Sequence, residues 1–202
     1  MTRITSIEAL RALYPAPRER SLNKVLLALD HHCRHFIGLS PLMMLATYGT
    51  DGRADVTPRG DAAGFVRIFD AQTLLVPDRP GNNRLDSLTN ILGNPAVGLL
   101  FLIPGIDETL RVNGTAEIRT DPNLLDAGMA EGRRPVTMLR ITVQEAYLHC
   151  AKAFMRSKAW DAEHFVPRDS LPSMGEMLRD QLGLATAETQ TEMLERYKAT
   201  LY

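Results

Sequence analysis

The sequence predicts a mainly β protein, an antiparallel barrel with helices before and after it, on three observations. Residues 42–150 read as six or seven strands joined mainly by hairpin turns. Only two helices interrupt that run, one opening near Asn82 and one at Pro122, an order that suits an antiparallel barrel better than alternating βαβ units. The signatures of common nucleotide-binding and catalytic folds are missing: there is no G-x-G-x-x-G after a strand, no G-x-x-x-x-G-K-[ST], no H-E-x-x-H and no G-x-S-x-G.

Taken in order, Thr5-x-x-Glu8 ahead of Leu10 and Leu13 is a capping signature that predicts a short helix ending before Pro15. A second helix is expected from about Ser21 to Gly38, with Val25, Leu26, Leu29 and Phe36 as its buried stripe. It carries His31 and His35 at the i, i+4 spacing of zinc ligands. No Glu lies between them in the required place and no further ligand follows at a recognisable spacing, so this face reads as polar surface with Cys33 turned inward. Residues 42–49 and 54–60 form a hairpin about Asp51-Gly52. Residues 65–69 and 73–76 supply the third and fourth strands. Residues 96–103, AVGLLFLI, are apolar throughout and need cover on both faces, as a central strand or a strand at a subunit interface has. Residues 110–119 alternate, with Gly114 marking a close approach, and Asp121-Pro122 supplies the cap and first residue of a short helix. Residues 136–150 form the last strand, long enough to wrap a barrel. Residues 174–182 and 188–202 are amphipathic and read as tail helices. The expected organisation is a helical appendage over 1–40, a barrel domain over 41–160 and a helical tail over 161–202.

Composition narrows the function. A chain of 202 residues, 45% of them hydrophobic, is long enough for a sizeable core. A net charge of −1 and a pI near 6.5, with both signs interspersed, give no electrostatic footprint for nucleic acid or an anionic membrane. No apolar run reaches the length of a membrane span, and the amphipathic N-terminus lacks the apolar core of a secretory signal. Two cysteines are too few for a disulfide framework, so the expected compartment is the reducing cytoplasm.

The chemistry concentrates in residues 73–95, TLLVPDRPGNNRLDSLTNILGNP. A short apolar strand, Leu74 to Val76, is broken by Pro77, Asp78, Pro80 and Gly81. A helix is then expected from Asn82, with Leu85, Leu88, Ile91 and Leu92 at helical spacing and a stop at Gly93-Asn94-Pro95. Its first turn would offer unpaired N–H groups, the positive end of the macrodipole, Asn82, Asn83 and the guanidinium of Arg84, a set that accommodates a phosphate. The same residues also describe a surface helix with an Asn cap and a solvated Arg.

The hairpin, the segment Val56-Thr57-Pro58-Arg59-Gly60-Asp61, the strand ending in Val76-Pro77-Asp78 and the helix entry Asn82-Asn83-Arg84 together resemble the FMN-binding split-barrel family, which includes pyridoxamine 5′-phosphate oxidase. The likeness covers roughly residues 42–160 and is greatest to the subgroup with TPRGD-like and PGNNR-like segments. It implies that Arg59 at the strand end, with Asn83 and Arg84 at the helix start and Asn82 beside them, holds the FMN phosphate. It implies further that the backbone of Val76, Pro77 and Asp78 lies along the isoalloxazine, with Thr57 and Pro58 on its other side. Two guanidiniums and helix-terminal N–H groups suit a phosphate monoester. Arg59 has a plainer reading as a turn residue paired with Asp61. Family members are homodimers with flavin at the subunit interface, so the resemblance makes Lys152 a candidate contact from the partner chain, with Arg156, Ser157 and Trp160 as further candidates. Trp160 also suits core packing.

Two departures matter. The helix start carries one Arg with Asn neighbours where the oxidase has two adjacent basic residues. The oxidase's C-terminal Arg-x-His element has no counterpart in FMRSKAWDAEHF, so vitamin B6 oxidation is not implied. The expectation is an FMN-dependent oxidoreductase working by hydride transfer at flavin N5 on a small molecule. No side chain is singled out as catalytic, and backbone N–H groups or Arg59 near the N1–C2 edge would stabilise reduced flavin. The alternatives are a flavin-binding carrier or sensor without turnover, a split barrel that binds haem or another flavin-like cofactor, for which the His31 to His35 cluster is the support, and a structural dimer with no ligand.

Overall fold

The computed structural model describes residues 3–202. Seven strands form one antiparallel sheet: β1 (Leu42–Tyr48), β2 (Ala54–Gly60), β3 (Arg67–Ile68), β4 (Thr73–Pro77), β5 (Ala96–Leu102), β6 (Thr109–Arg119) and β7 (Met138–His149), in the spatial order β2-β1-β5-β6-β7-β4-β3. The sheet is not closed, and its open ends are β2 on one side and β3 with β4 on the other. This is the mainly β, antiparallel architecture that the strand order predicts, in the open, split form that the family resemblance implies. The β1–β2 hairpin turns on Gly52, whose φ of +84° Asp51-Gly52 accommodates without strain. At Gly114 the ladder with β7 shifts register, and a Cβ there would stand 2.0 Å from the Thr142 carbonyl oxygen, which is the close approach that this glycine signals.

One face of the sheet builds the core from Met43, Leu45, Leu74, Val76, Leu99, Phe101, Val112 and Ile141. β5 is central, between β1 and β6, as its apolar run requires. On its other face Leu100, Met44 and Ala46 are only partly buried and Val56 is 65% exposed, so the described residues leave an apolar strip of β5, β1 and β2 incompletely covered.

Three helices precede the sheet. α1 (Ile7–Arg11) is capped by Ser6, whose Oγ accepts from the Ala9 N–H, one residue after the expected Thr5. The single helix expected over 21–38 is instead two, α2 (Glu19–Asn23) and α3 (His31–Leu39). Between them Leu26 exchanges two backbone hydrogen bonds with Ala146 of β7, at 2.9 and 2.8 Å. Asp30 then starts α3 by accepting from the Cys33 N–H at 2.8 Å. A bridge to a strand 120 positions later outweighs the local helical period here. α3 turns Cys33 and Ile37 into the core and leaves His31, His32 and His35 exposed. Among the described residues no group of three or more His, Cys, Asp or Glu is placed to hold a metal ion.

α4 (Asp86–Gly93) packs on β1, β2 and β6, and α5 (Pro122–Ala127) begins at Asp121-Pro122 as predicted. After β7 come α6 (Lys152–Ser157), two short 3₁₀ turns, α7 (Met174–Leu182) and α8 (Gln190–Thr200). Each of the last two opens with a complete capping box, Ser173 with Glu176 and Thr189 with Glu192. Among the described residues no helix is long and apolar enough to cross a membrane.

Candidate functional site

The site lies at the split in the sheet, where edge strand β2 faces the irregular loop 78–85 that joins β4 to α4. A cleft of about 210 Å³ runs between them, lined among others by Asp55, Thr57, Arg59, Asp78, Asn83 and Arg84. A second hollow of about 310 Å³ adjoins it, shares Thr57, Arg59, Arg79 and Asn82, and adds Pro58 and Pro77. β2 presents alternate residues, so Asp55, Thr57 and Arg59 share a face and line the cleft. β3 pairs only with Leu74 and Leu75, and beyond Leu75 that edge of β4 has no ladder partner among the described residues.

The loop is held under backbone strain. Asn83 and Leu85 both take left-handed conformations, with φ of 57° and 60°, and for Leu this costs of order 1 kcal/mol. The Asn82 side chain accepts from the Arg84 N–H at 3.1 Å and so folds the turn back on itself. Helix α4 therefore begins at Asp86, four residues later than its periodicity predicts. Its first turn carries a carboxylate, with Arg84 outside it. That turn is tied to the β1–β2 hairpin: Ser87 Oγ donates to Asp55 Oδ2 at 2.7 Å and Asn90 donates to Thr47 Oγ1 at 3.0 Å.

Every arginine at the cleft has a carboxylate partner, and the pairings differ in quality. Arg59 Nη2 stands 3.7 Å from Asp78 Oδ1, a loose contact, and its Nη1 donates weakly to Thr57 Oγ1 at 3.4 Å. Burial pushes the Asp78 carboxyl above its usual range, and the neighbouring guanidinium only partly opposes this. The pair of Arg84 with Asp86 is close, at 2.8 Å, but its side chains are 72% and 49% exposed, where such a pair adds little. Arg79 is held differently. Its Nε meets Asp61 Oδ2 at 2.7 Å, its Nη1 donates to the Gly128 carbonyl at 2.8 Å, and the Asp61 side chain is only 4% exposed. Burial would raise the Asp61 carboxyl, but hydrogen bonds from the Ala62 N–H, the Tyr202 hydroxyl and Arg79 together hold it below its usual range.

Of the residues expected at the site, Thr57, Arg59, Asp78, Asn82, Asn83 and Arg84 meet in the cleft, and Pro58 and Pro77 line the adjoining hollow. The Val76 side chain is buried in the core, so only its backbone is available there. Lys152 is not brought near. It follows His149, and β7 reaches the site at its other end, where Met138 pairs with Pro77. Trp160 stacks on Phe154 and donates to the Ile106 carbonyl at 3.0 Å, which pins α6 to the β5–β6 connection. Asp55, Ser87, Arg79 and Val136 also line the cleft without having been expected there. The even alternation of β2 already places Asp55 with Thr57 and Arg59, whereas nothing local announces Val136.

The family model for pyridoxamine 5′-phosphate oxidase matches residues 29–150, more than half of the chain. No curated protein matches it. Among solved structures, HupZ of Group A Streptococcus is 24% identical, with 58% of this chain and 91% of that one covered and a TM-score of 0.48. A candidate pyridoxamine 5′-phosphate oxidase from Lactobacillus delbrueckii is 21% identical over 60% and 95% of the two chains, with a TM-score of 0.47. A protein from Clostridium acetobutylicum related to general stress protein 26 is 16% identical over 58% and 85%, with a TM-score of 0.46.

Proposed function

Since the chain belongs to the pyridoxamine 5′-phosphate oxidase family, we propose that it is an FMN-binding flavoprotein, a homodimer that uses the cofactor to oxidise or reduce a small molecule. The observation that carries this is the meeting of Arg59 and Arg84 with Thr57, Asn82 and Asn83 in one cleft at the split of the sheet. FMN, when bound, supplies hydride transfer at N5.

The residues present fit the group. A phosphate offers each guanidinium a stronger acceptor than the one it has. Arg59 exchanges a 3.7 Å contact with a carboxylate whose charge is disfavoured by burial, and Arg84 exchanges an exposed pair of small worth. Thr57 and the unpaired edge of β4 beyond Leu75 supply polar contacts for the ring system, and Pro58 and Pro77 supply flat apolar walls.

The cleft and the adjoining hollow lie at the open edge of the sheet, where a second copy of the chain has room to complete the site. The incompletely covered apolar strip of β5, β1 and β2 gives such a copy a surface to pack on. Lys152, remote from the cleft of its own chain, is then a contact made from the partner. Titration with FMN and with riboflavin, followed by quenching of flavin fluorescence, tests the reading. FMN is expected to bind at least tenfold more tightly, because riboflavin lacks the phosphate. Equal affinity would remove the phosphate assignment.

A further inference from the structure

The loop that walls the cleft is backed, on its other side, by the end of the chain. Across a hollow of about 410 Å³, Pro80, Gly81 and Asn82 face Arg196, Tyr197, Thr200 and Leu201 of α8 and the residue after it. The two sides are joined at one point. The Tyr202 hydroxyl donates to Asp61 Oδ1 at 2.8 Å, the other oxygen of the same carboxylate holds Arg79 Nε at 2.7 Å, and the Tyr202 ring lies 5.8 Å from the Arg79 guanidinium carbon, a cation–π distance. The Tyr202 backbone oxygen accepts from Arg133. Arg79 is the second residue of the loop, followed within six positions by the strained Asn83 and Leu85. Fixing its guanidinium between Asp61, the Gly128 carbonyl and the Tyr202 ring sets the direction in which the loop leaves β4.

We propose that Tyr202 is a positioning residue: with Asp61 and Arg79 it forms a latch through which the C-terminal helix holds loop 79–85 in the shape that binds the flavin phosphate. The hydroxyl and the ring act on different groups, the first on the carboxylate and the second on the guanidinium. Loss of the hydroxyl alone leaves the Arg79–Asp61 pair intact but frees the tail from the carboxylate. Loss of the whole side chain also uncovers Arg79. In the latched state the left-handed residues stay in place and the Arg84 side chain projects into the cleft. In the unlatched state the strain at Asn83 and Leu85 relaxes and Arg84 leaves it.

The role in cofactor binding rests on the flavin reading, and the latch itself does not, so two measurements on the full chain separate them. In the absence of flavin, limited trypsin digestion of the wild type, Tyr202→Phe and Tyr202→Ala is followed by mass spectrometry at the Arg84–Leu85 bond and, as an internal control, after Arg140 inside β7. Tyr202→Ala is expected to raise cleavage at Arg84 by about tenfold or more, Tyr202→Phe by less, with the Arg140 site staying protected and the thermal midpoint lowered by a few degrees at most. An unchanged rate at Arg84 overturns the latch, and so does a parallel rise at Arg140, which would mean general loosening. Stopped-flow release of FMN then reads the coupling: the dissociation rate is expected to rise in the same order of variants while the association rate stays the same. Faster cleavage with unchanged FMN release overturns the positioning role. A wild type that takes up no FMN yet shows the expected cleavage pattern sustains the latch and removes the flavin reading.

Discussion

Two arginine–carboxylate pairs tie the end of β2 to adjacent loop residues, Asp78 and Arg79, and are built for opposite ends. Arg79 with Asp61 is short, largely buried and supported by further hydrogen bonds on both partners, and it joins four parts of the chain: the segment after β2, the loop, Gly128 beyond α5 and Tyr202 after α8. Arg59 with Asp78 is 3.7 Å apart, and burial works against the charge of its acid. The first cannot open without leaving a buried charge unpaired. The second can change partners at small cost, which is what an anion-binding arginine needs. In the function we propose, one pair keeps the cleft in shape so that its neighbour is free to bind.

Breaking the strong pair has the largest expected effect. Arg79→Ala should lower the free energy of unfolding by about 3–5 kcal/mol, the range for stranding one member of a buried pair, as read from urea denaturation. A loss under about 1 kcal/mol would place this pair among ordinary surface contacts. Arg84→Ala should weaken FMN binding by about 1.5–3 kcal/mol, the range for hydrogen bonds to charged groups, with stability unchanged within about 0.5 kcal/mol. Isothermal titration and a melting curve check both halves.

Asp78→Asn removes the poor acceptor of Arg59. It should leave stability at pH 7 equal to the wild type or higher by up to about 1 kcal/mol, and tighten FMN binding. A clear loss of stability would mean that the loose pair is structural after all. The pH dependence sharpens the same contrast through its sign. The Asp61 carboxyl lies below its usual range, so its contribution is present at neutral pH and is lost as pH falls through its folded value. The Asp78 carboxyl lies above its usual range, so its ionisation takes stability away as pH rises through that value. Denaturation curves between pH 3 and 7 should therefore be flatter on the acid side for Asp61→Asn, and steeper for Asp78→Asn, than for the wild type.

Much of the fold is legible in the sequence because it is set locally. Asp51-Gly52 fixes the first hairpin, Gly114 announces the close approach of Thr142, and α7 spans the residues that its apolar spacing marks. What fails locally is decided from a distance. The helix expected over 21–38 breaks because Leu26 pairs with Ala146, and Arg59 takes Asp78 as partner, with the nearer Asp61 already claimed by Arg79 and Tyr202. The start of α4 is misjudged for a different reason: left-handed backbone at Asn83 and Leu85 leaves no trace in a pattern of apolar residues. On β2 and the loop, Thr57, Arg59, Asp78, Asn82, Asn83 and Arg84 are readable as a set, whereas Asp55 and Arg79 are not singled out. The latch was not, since Tyr202 lies 141 positions from Asp61 and no motif connects them.

The most direct test is the visible absorption spectrum of the purified protein, taken before and after incubation with FMN and desalting. The expected result is a retained flavin band that is released as FMN on denaturation. A folded protein that retains no flavin at micromolar concentration would contradict it.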